Sequence, residues 1–146
     1  MTKIGEYSFS YSGLTSIKFN KALETIDIYA FDSCNQLKVV NLVEIKIKTL
    51  ECETFINCRL ETVYLPKQLI TMKERVFGNN PLKNNFCYSN NPSELLDFSA
   101  SFPTFKKLDI EECIVHTPKG KINIYKEAKG WSIFKLIIDD FKKINY

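Results

Sequence analysis

Four phenylalanines at near-constant intervals constrain this chain more than any other feature. The steps between Phe9, Phe31, Phe55 and Phe77 are 22, 24 and 22. Leu14, Leu37, Leu60 and Leu82 follow at gaps of 23, 23 and 22. Ile17, Val40, Val63 and Phe86 are each 23 apart, as are Phe19, Leu42, Leu65 and Tyr88. Four columns that share one period mark a stack of like coils, because a single coil of this length cannot bury its own apolar flanks and a neighbour must do so. Such a stack displays an extended surface rather than enclosing a reaction.

Four units begin at Ile4, Ile26, Leu50 and Met72. Their shared form is I-x-x-x-[AST]-F, a short turn holding Ser12, Cys34, Cys58 or Asn80, then L-x-x-[IV]-x-L. In LTSIKF, LKVVNL and LETVYL the last two apolar residues are two apart, which turns both to one side of a strand. The stretches that follow (AL, EIKI, QLI) read as a second extended pass. The I-x-x-x-A-F segment suits one helical turn, since Ile26 and Ala30 are four apart and meet on one face. Ser8, Ala30 and Thr54 leave room for a neighbouring ring, and a small polar residue in the cysteine column suits a tight buried turn.

The expected architecture is therefore an α/β repeat solenoid, coiled right-handed, with a short-stranded parallel sheet on one side. Residues 1–146 form one domain, with repeats over about 4–90 and an irregular coil and C-terminal cap over about 91–146. Within that last part the sequence predicts a short helix at Ser93 to Phe98. Leu108 and Ile110 sit at strand spacing in a last irregular coil, and CIVHTPKG is a strand ending in a turn. The final stretch from Ile122 reads mostly as helix, interrupted at Gly130, laid over the open end of the stack.

The units resemble leucine-rich-repeat proteins of the BspA-like type. The resemblance rests on I-x-x-x-A-F-x-x-C-x-x-L-x-x-V-x-L at Ile26 to Leu42 and on the matching run from Leu50 to Leu65, which ends in Leu65-Pro66. The tail CIVHTPKGKINIYKEAKGWSIFKLI is similar to the C-terminal cap of that family: a strand, a turn, then Y-x-x-A-x-G-W. The likeness covers about residues 4–88 and 113–138. It implies a non-catalytic module for protein–protein or cell-surface recognition, often linked to adhesion.

Composition narrows the partner. A net charge of +3, spread along the chain, argues against nucleic acid. No stretch approaches the roughly 20 apolar residues of a membrane span. The start, MTKIGEYSF, enters the repeat at once without a secretory leader. The chain as written reads as cytoplasmic, whereas the resemblance points to a secreted or surface protein. Five cysteines at irregular spacing make a poor disulfide framework and read as reduced structural thiols. A monomer is expected, and no cofactor or metal is implied.

Catalytic readings find little support. Cys113 and His116 could be half a metal site or a nucleophile with its base, but residues three apart on a strand point to opposite faces. The acid pairs Glu51/Glu53, Glu111/Glu112 and Asp139/Asp140 lack the opposed placement across a cleft that glycoside chemistry requires. The more informative constellation is a sheet face. Strand alternation turns outward Ser16, Lys18 and Asn20; Val39, Asn41 and Val43; Thr62, Tyr64 and Pro66; and Asn85, Cys87 and Ser89. The candidate partner-binding residues are Lys18, Asn20, Val39, Asn41, Val43, Thr62, Tyr64 and Pro66, with a mildly apolar middle and a positive edge at Lys18. The same residues also suit strands for purely structural reasons. A spacer or display segment within a longer surface array is the alternative of a different class.

Overall fold

The computed structural model describes residues 1–96 and 110–141, the last of these by its backbone alone. It is a parallel-strand solenoid of about six turns. Strands β3 (Val39–Asn41), β5 (Thr62–Leu65), β7 (Asn84–Cys87), β9 (Ile114–Pro118) and β10 (Leu136–Phe141) form a five-stranded parallel sheet in that order. On the return pass, β1 (Lys3–Ile4) pairs with β2 (Thr25–Ile26), while β4 (Thr49–Leu50), β6 (Thr71–Met72) and β8 (Glu94–Leu95) form a three-stranded sheet. The break between β2 and β4 follows from unit length. Ile4 pairs with Ile26 and Leu50 with Met72, each a step of 22, whereas Leu50 follows Ile26 by 24. The longer unit puts the crossing out of phase, and Lys46 N–H reaches back to the Leu23 carbonyl there.

Between the sheets runs the file of rings that the period demands. Phe9 stacks on Phe31 at 5.1 Å, Phe31 on Phe55 at 5.1 Å and Phe55 on Phe77 at 5.8 Å, with interplanar angles of 8°, 11° and 9°. Phe31, Phe55 and Phe77 are fully buried, while Phe9 in the first coil is partly exposed. In that coil, residues 16–20 form no strand. Phe19 instead packs edge-on against Phe31 at 5.9 Å.

The segment around each phenylalanine is not the helical turn that the spacing of its first half suggests. It is a run of tight turns with a left-handed residue at every fourth position: Tyr7 and Tyr11, Tyr29 and Ser33, Glu53 and Asn57, Arg75 and Asn79, with φ from 53° to 58°. The cause is where the backbone donors go. Alternate N–H groups bond within the coil (Asp32 to Tyr29, Cys34 to Phe31). Those between them reach the next coil (Phe31 to Thr54, Ser33 to Ile56). An α-helical turn would send them all along its own axis and leave the stack without this ladder. Each left-handed non-glycine residue costs about 1–2 kcal/mol, offset here by bonds between coils.

Unit four carries a slip that strand alternation magnifies. Val63 pairs with Asn85 and Leu65 with Cys87, so the interval here is 22 and not 23. Asn85 and Cys87, expected outward, are buried, and Phe86 turns outward. A shift of one residue inverts every side chain of a strand. Asn85 thus takes the inward position held by Val40 and Val63, and its Nδ2 is buried with no hydrogen-bond partner among the described residues. Replacing Asn85 with Val should stabilise the chain by about 1–3 kcal/mol, read as a higher urea midpoint with unchanged slope. A lower midpoint would show that the amide is needed.

The C-terminal part also differs from its expected form. Of the helix expected at Ser93 to Phe98, residues 93–96 are not helical, since Glu94 and Leu95 form β8; Phe98, like Leu108, lies outside the described residues. Ile110 sits in a turn. The closing segment has a short helix α1 (Ile122–Glu127), a 3-10 turn (Trp131–Ile133) and then β10, which adds in parallel to β9. The helix ends at Glu127, Gly130 precedes the 3-10 turn with φ 81°, and a Cβ there would fall 2.6 Å from Leu95 Cδ1. The free edge of β9 then takes up residues 136–141, which satisfies backbone groups that a helix would leave open. Tyr125 and Trp131 lock this cap to the last coil. The Tyr125 hydroxyl donates to the Ser89 carbonyl and Trp131 Nε1 to the Ser93 carbonyl, both at 2.9 Å.

Candidate binding face

The register of the five-stranded sheet aligns its outward residues in two rows. One is Val39, Thr62, Asn84, Ile114 and Leu136; the other is Asn41, Tyr64, Phe86, His116 and Ile138. The second row is aromatic at its centre. Tyr64 stacks on Phe86 at 4.7 Å, and Phe86 on the His116 ring at 4.0 Å. Because these rings lie face to face, they offer edges rather than flat faces to an incoming molecule. Val39 and Leu136, 47% and 42% exposed, add apolar ends to the other row. Below the first row Glu61 holds both Lys38 at 3.8 Å and Lys83 at 3.4 Å, which mutes the charge on that margin.

The expected face is partly reproduced. Val39 and Asn41 are exposed, and Thr62 and Tyr64 are half-buried on the outward side. Val43 and Pro66 are corrections: both are buried. They lie past the strand ends, where alternation no longer applies, and Asn41 Oδ1 accepts the Val43 N–H at 3.1 Å as the chain turns. Asn20 makes the same turn with Ala22 N–H at 2.8 Å. Asn20 and Asn41 are therefore backbone-turning residues as well as exposed ones. Lys18 and Ser16 are exposed in the first coil, outside the ladder. Lys18 still lies near the face, lining a shallow groove with Ile17, Phe19, Asn41 and Glu44.

Sequence reasoning missed Asn84, Phe86 and His116. The signal for the first two was present: Leu82 follows Leu60 at a step of 22, and carrying that interval forward puts Phe86 opposite Tyr64. No period reaches His116, which stands more than a full repeat beyond Phe86. Cys113 and His116 do fall on opposite sides of the strand. Cys113 is fully buried, whereas the His116 ring faces Asn84 and Asp140.

The cysteine column has a clear role behind this face. Cys34 Sγ donates to the Phe9 carbonyl and Cys58 Sγ to the Phe31 carbonyl, each at 3.1 Å, and Asn80 Nδ2 donates to the Phe55 carbonyl at 2.8 Å. One side chain per coil thus reaches the carbonyl of the preceding phenylalanine and ties the two coils together. A hydrogen bond to Cys34, with burial, pushes the Cys58 thiol up, and burial does the same to Cys87. Both are held as protonated packing groups rather than nucleophiles. No disulfide joins the five cysteines. Among the described residues no group of three or more His, Cys, Asp or Glu is placed to hold a metal, and no helix is long and apolar enough to cross a membrane.

No curated protein matches the sequence. The family model of the BspA type leucine rich repeat region matches residues 2–125 in six copies. With coils stacked on a continuous ring file and most of its length covered by that match, the chain belongs to the BspA-type leucine-rich-repeat family.

Proposed function

We propose that this chain is a non-catalytic recognition module. It engages a protein or cell-surface macromolecule through the outer face of its five-stranded sheet, centred on Tyr64 and Phe86. The observation that carries this reading is the aromatic row itself. Tyr64 and Phe86 stack outside the core, on strands whose inward residues Val63, Leu65 and Cys87 are buried, so large groups stand pre-positioned on a rigid support. Aromatic residues of this kind dominate binding energy, because their area is large and little side-chain freedom remains to be lost. Repeat proteins of this class are generally built for binding rather than catalysis.

The test is the double variant Tyr64→Ala, Phe86→Ala. A partner isolated on the immobilised wild-type chain, and shown to bind it by calorimetry, should bind the variant at least about tenfold more weakly. The variant should keep its circular dichroism spectrum, since both rings lie outside the core. A partner that binds both chains equally would place recognition on another surface of the coil.

A further inference from the structure

Each ring nitrogen of His116 faces an oxygen. Nδ1 lies 3.0 Å from Asp140 Oδ1, and Nε2 lies 2.9 Å from Asn84 Oδ1. A neutral imidazole has one N–H and one bare lone pair, so both contacts are donor-to-acceptor only when the ring carries both protons. The surroundings suit that cation. The ring lies 4.0 Å over Phe86 at an angle of 9°, and a π face attracts positive charge. Among the described residues the charged group of β10 within ion-pair distance is Asp140; from β7 the ring meets Asn84 and Phe86, neither of which titrates. The adjacent Lys83 ammonium is turned to Glu61 at 3.4 Å. His116 is 8% exposed, so it cannot answer a change of charge simply by swinging into water.

We propose that His116 and Asn84 form a proton switch in the middle of the sheet face. Loss of one ring proton to solvent turns the Asn84 amide over, so that its NH2 meets the bare Nε2 and its oxygen faces away. Nδ1 keeps its proton, because the Asp140 carboxylate opposite it can only accept. In the acid form the His116–Asp140 pair is neutral and Asn84 points its NH2 away from the ring. In the other form Asp140, 59% exposed at its side chain, is left uncompensated, and Asn84 presents an acceptor in place of a donor. The outer face thus changes by one charge and by one hydrogen-bond polarity, beside Tyr64 and Phe86, without movement of the backbone. Histidine is the side chain whose ordinary charge change falls between about pH 5 and 8. Such a device would make adhesion through this face depend on the acidity of the surroundings.

This regulation rests on the sheet-face reading of function, but the switch can be tested with no partner present. In nitrogen-labelled full-length chain, NMR across about pH 5 to 8 should show the His116 ring passing from its doubly protonated pattern to the Nδ1–H tautomer. The Asn84 side-chain NH2 signals should move with the same midpoint. In Asn84→Ala, His116 should still titrate while the signals of Thr62, the neighbour of Asn84 in its row, no longer follow it. Asn84 signals that stay constant while His116 titrates would overturn the switch, as would a ring that keeps one protonation state across the range. Either result would leave the Tyr64 and Phe86 binding test untouched, and failure of that test would leave this one standing.

Discussion

Phe55→Ala is expected to destabilise the chain by about 3–5 kcal/mol, with a fall in melting temperature of roughly 10 °C. Phe55 is fully buried between Phe31 at 5.1 Å and Phe77 at 5.8 Å, so truncation opens a gap in the middle of the ring file. The backbone on either side is held by the bonds between coils, and the stack has little freedom to close over the hole. In a solenoid each coil touches only its neighbours, so a loss at the third coil weakens the coupling of both halves. Phe9→Ala, at the partly exposed first position, removes contacts on one side of its ring and should cost about half as much. Urea denaturation of the two variants checks the comparison. Equal costs would mean that the rings do not stabilise the chain as a continuous file.

The second large effect is expected at Asn80. Its Nδ2 serves the carbonyls of Phe55, Phe77 and Gly78 at 2.8, 3.1 and 3.3 Å, and its Oδ1 accepts the Leu60 N–H at 3.0 Å. Asn80 is 3% exposed, so water cannot readily replace these bonds. Asn80→Ala strands a buried donor and at least one buried acceptor, which should cost about 2–5 kcal/mol. Asn80→Cys should recover part of that loss, because the thiols at Cys34 and Cys58 make the corresponding bond in their own coils. It cannot recover the bond to Leu60. Chemical denaturation of the three chains should rank wild type above Cys and Cys above Ala. A cysteine variant no better than alanine would show that the Phe55 carbonyl bond contributes little.

The parts of the fold that could be read from the chain are those that recur. The columns led by Phe9 and Leu14 run through all four coils, and those led by Ile17 and Phe19 through the first three, so a chance match at one position is corrected by the others. Val39, Asn41, Thr62 and Tyr64 could be assigned to the outer face because alternation holds inside β3 and β5. It failed at Val43 and Pro66 because those residues follow the strands, where the chain is already turning inward. It failed at Asn85 and Cys87 because a single-residue change of interval reverses the faces, and the step of 22 from Leu60 to Leu82 that announces the change was not carried into the strand. The closing segment misled for another reason. Its apolar residues come near enough to helical spacing to suggest helix on both sides of Gly130, and the choice of strand over helix at Leu136–Phe141 depends on the open edge of β9.

Local sequence therefore decides that like coils stack, which residues enter the ring file, and which side chains are small or polar enough for the corners. Tertiary structure alone decides that His116 reaches the aromatic row, that Asp140 and Asn84 flank it, and that Leu136–Phe141 form a strand. The physical reason is one of range. Stacking repeats a single local solution at fixed separation, whereas the cap and the histidine site join segments of unrelated spacing, whose partners exist only once the preceding coils have formed an edge to receive them.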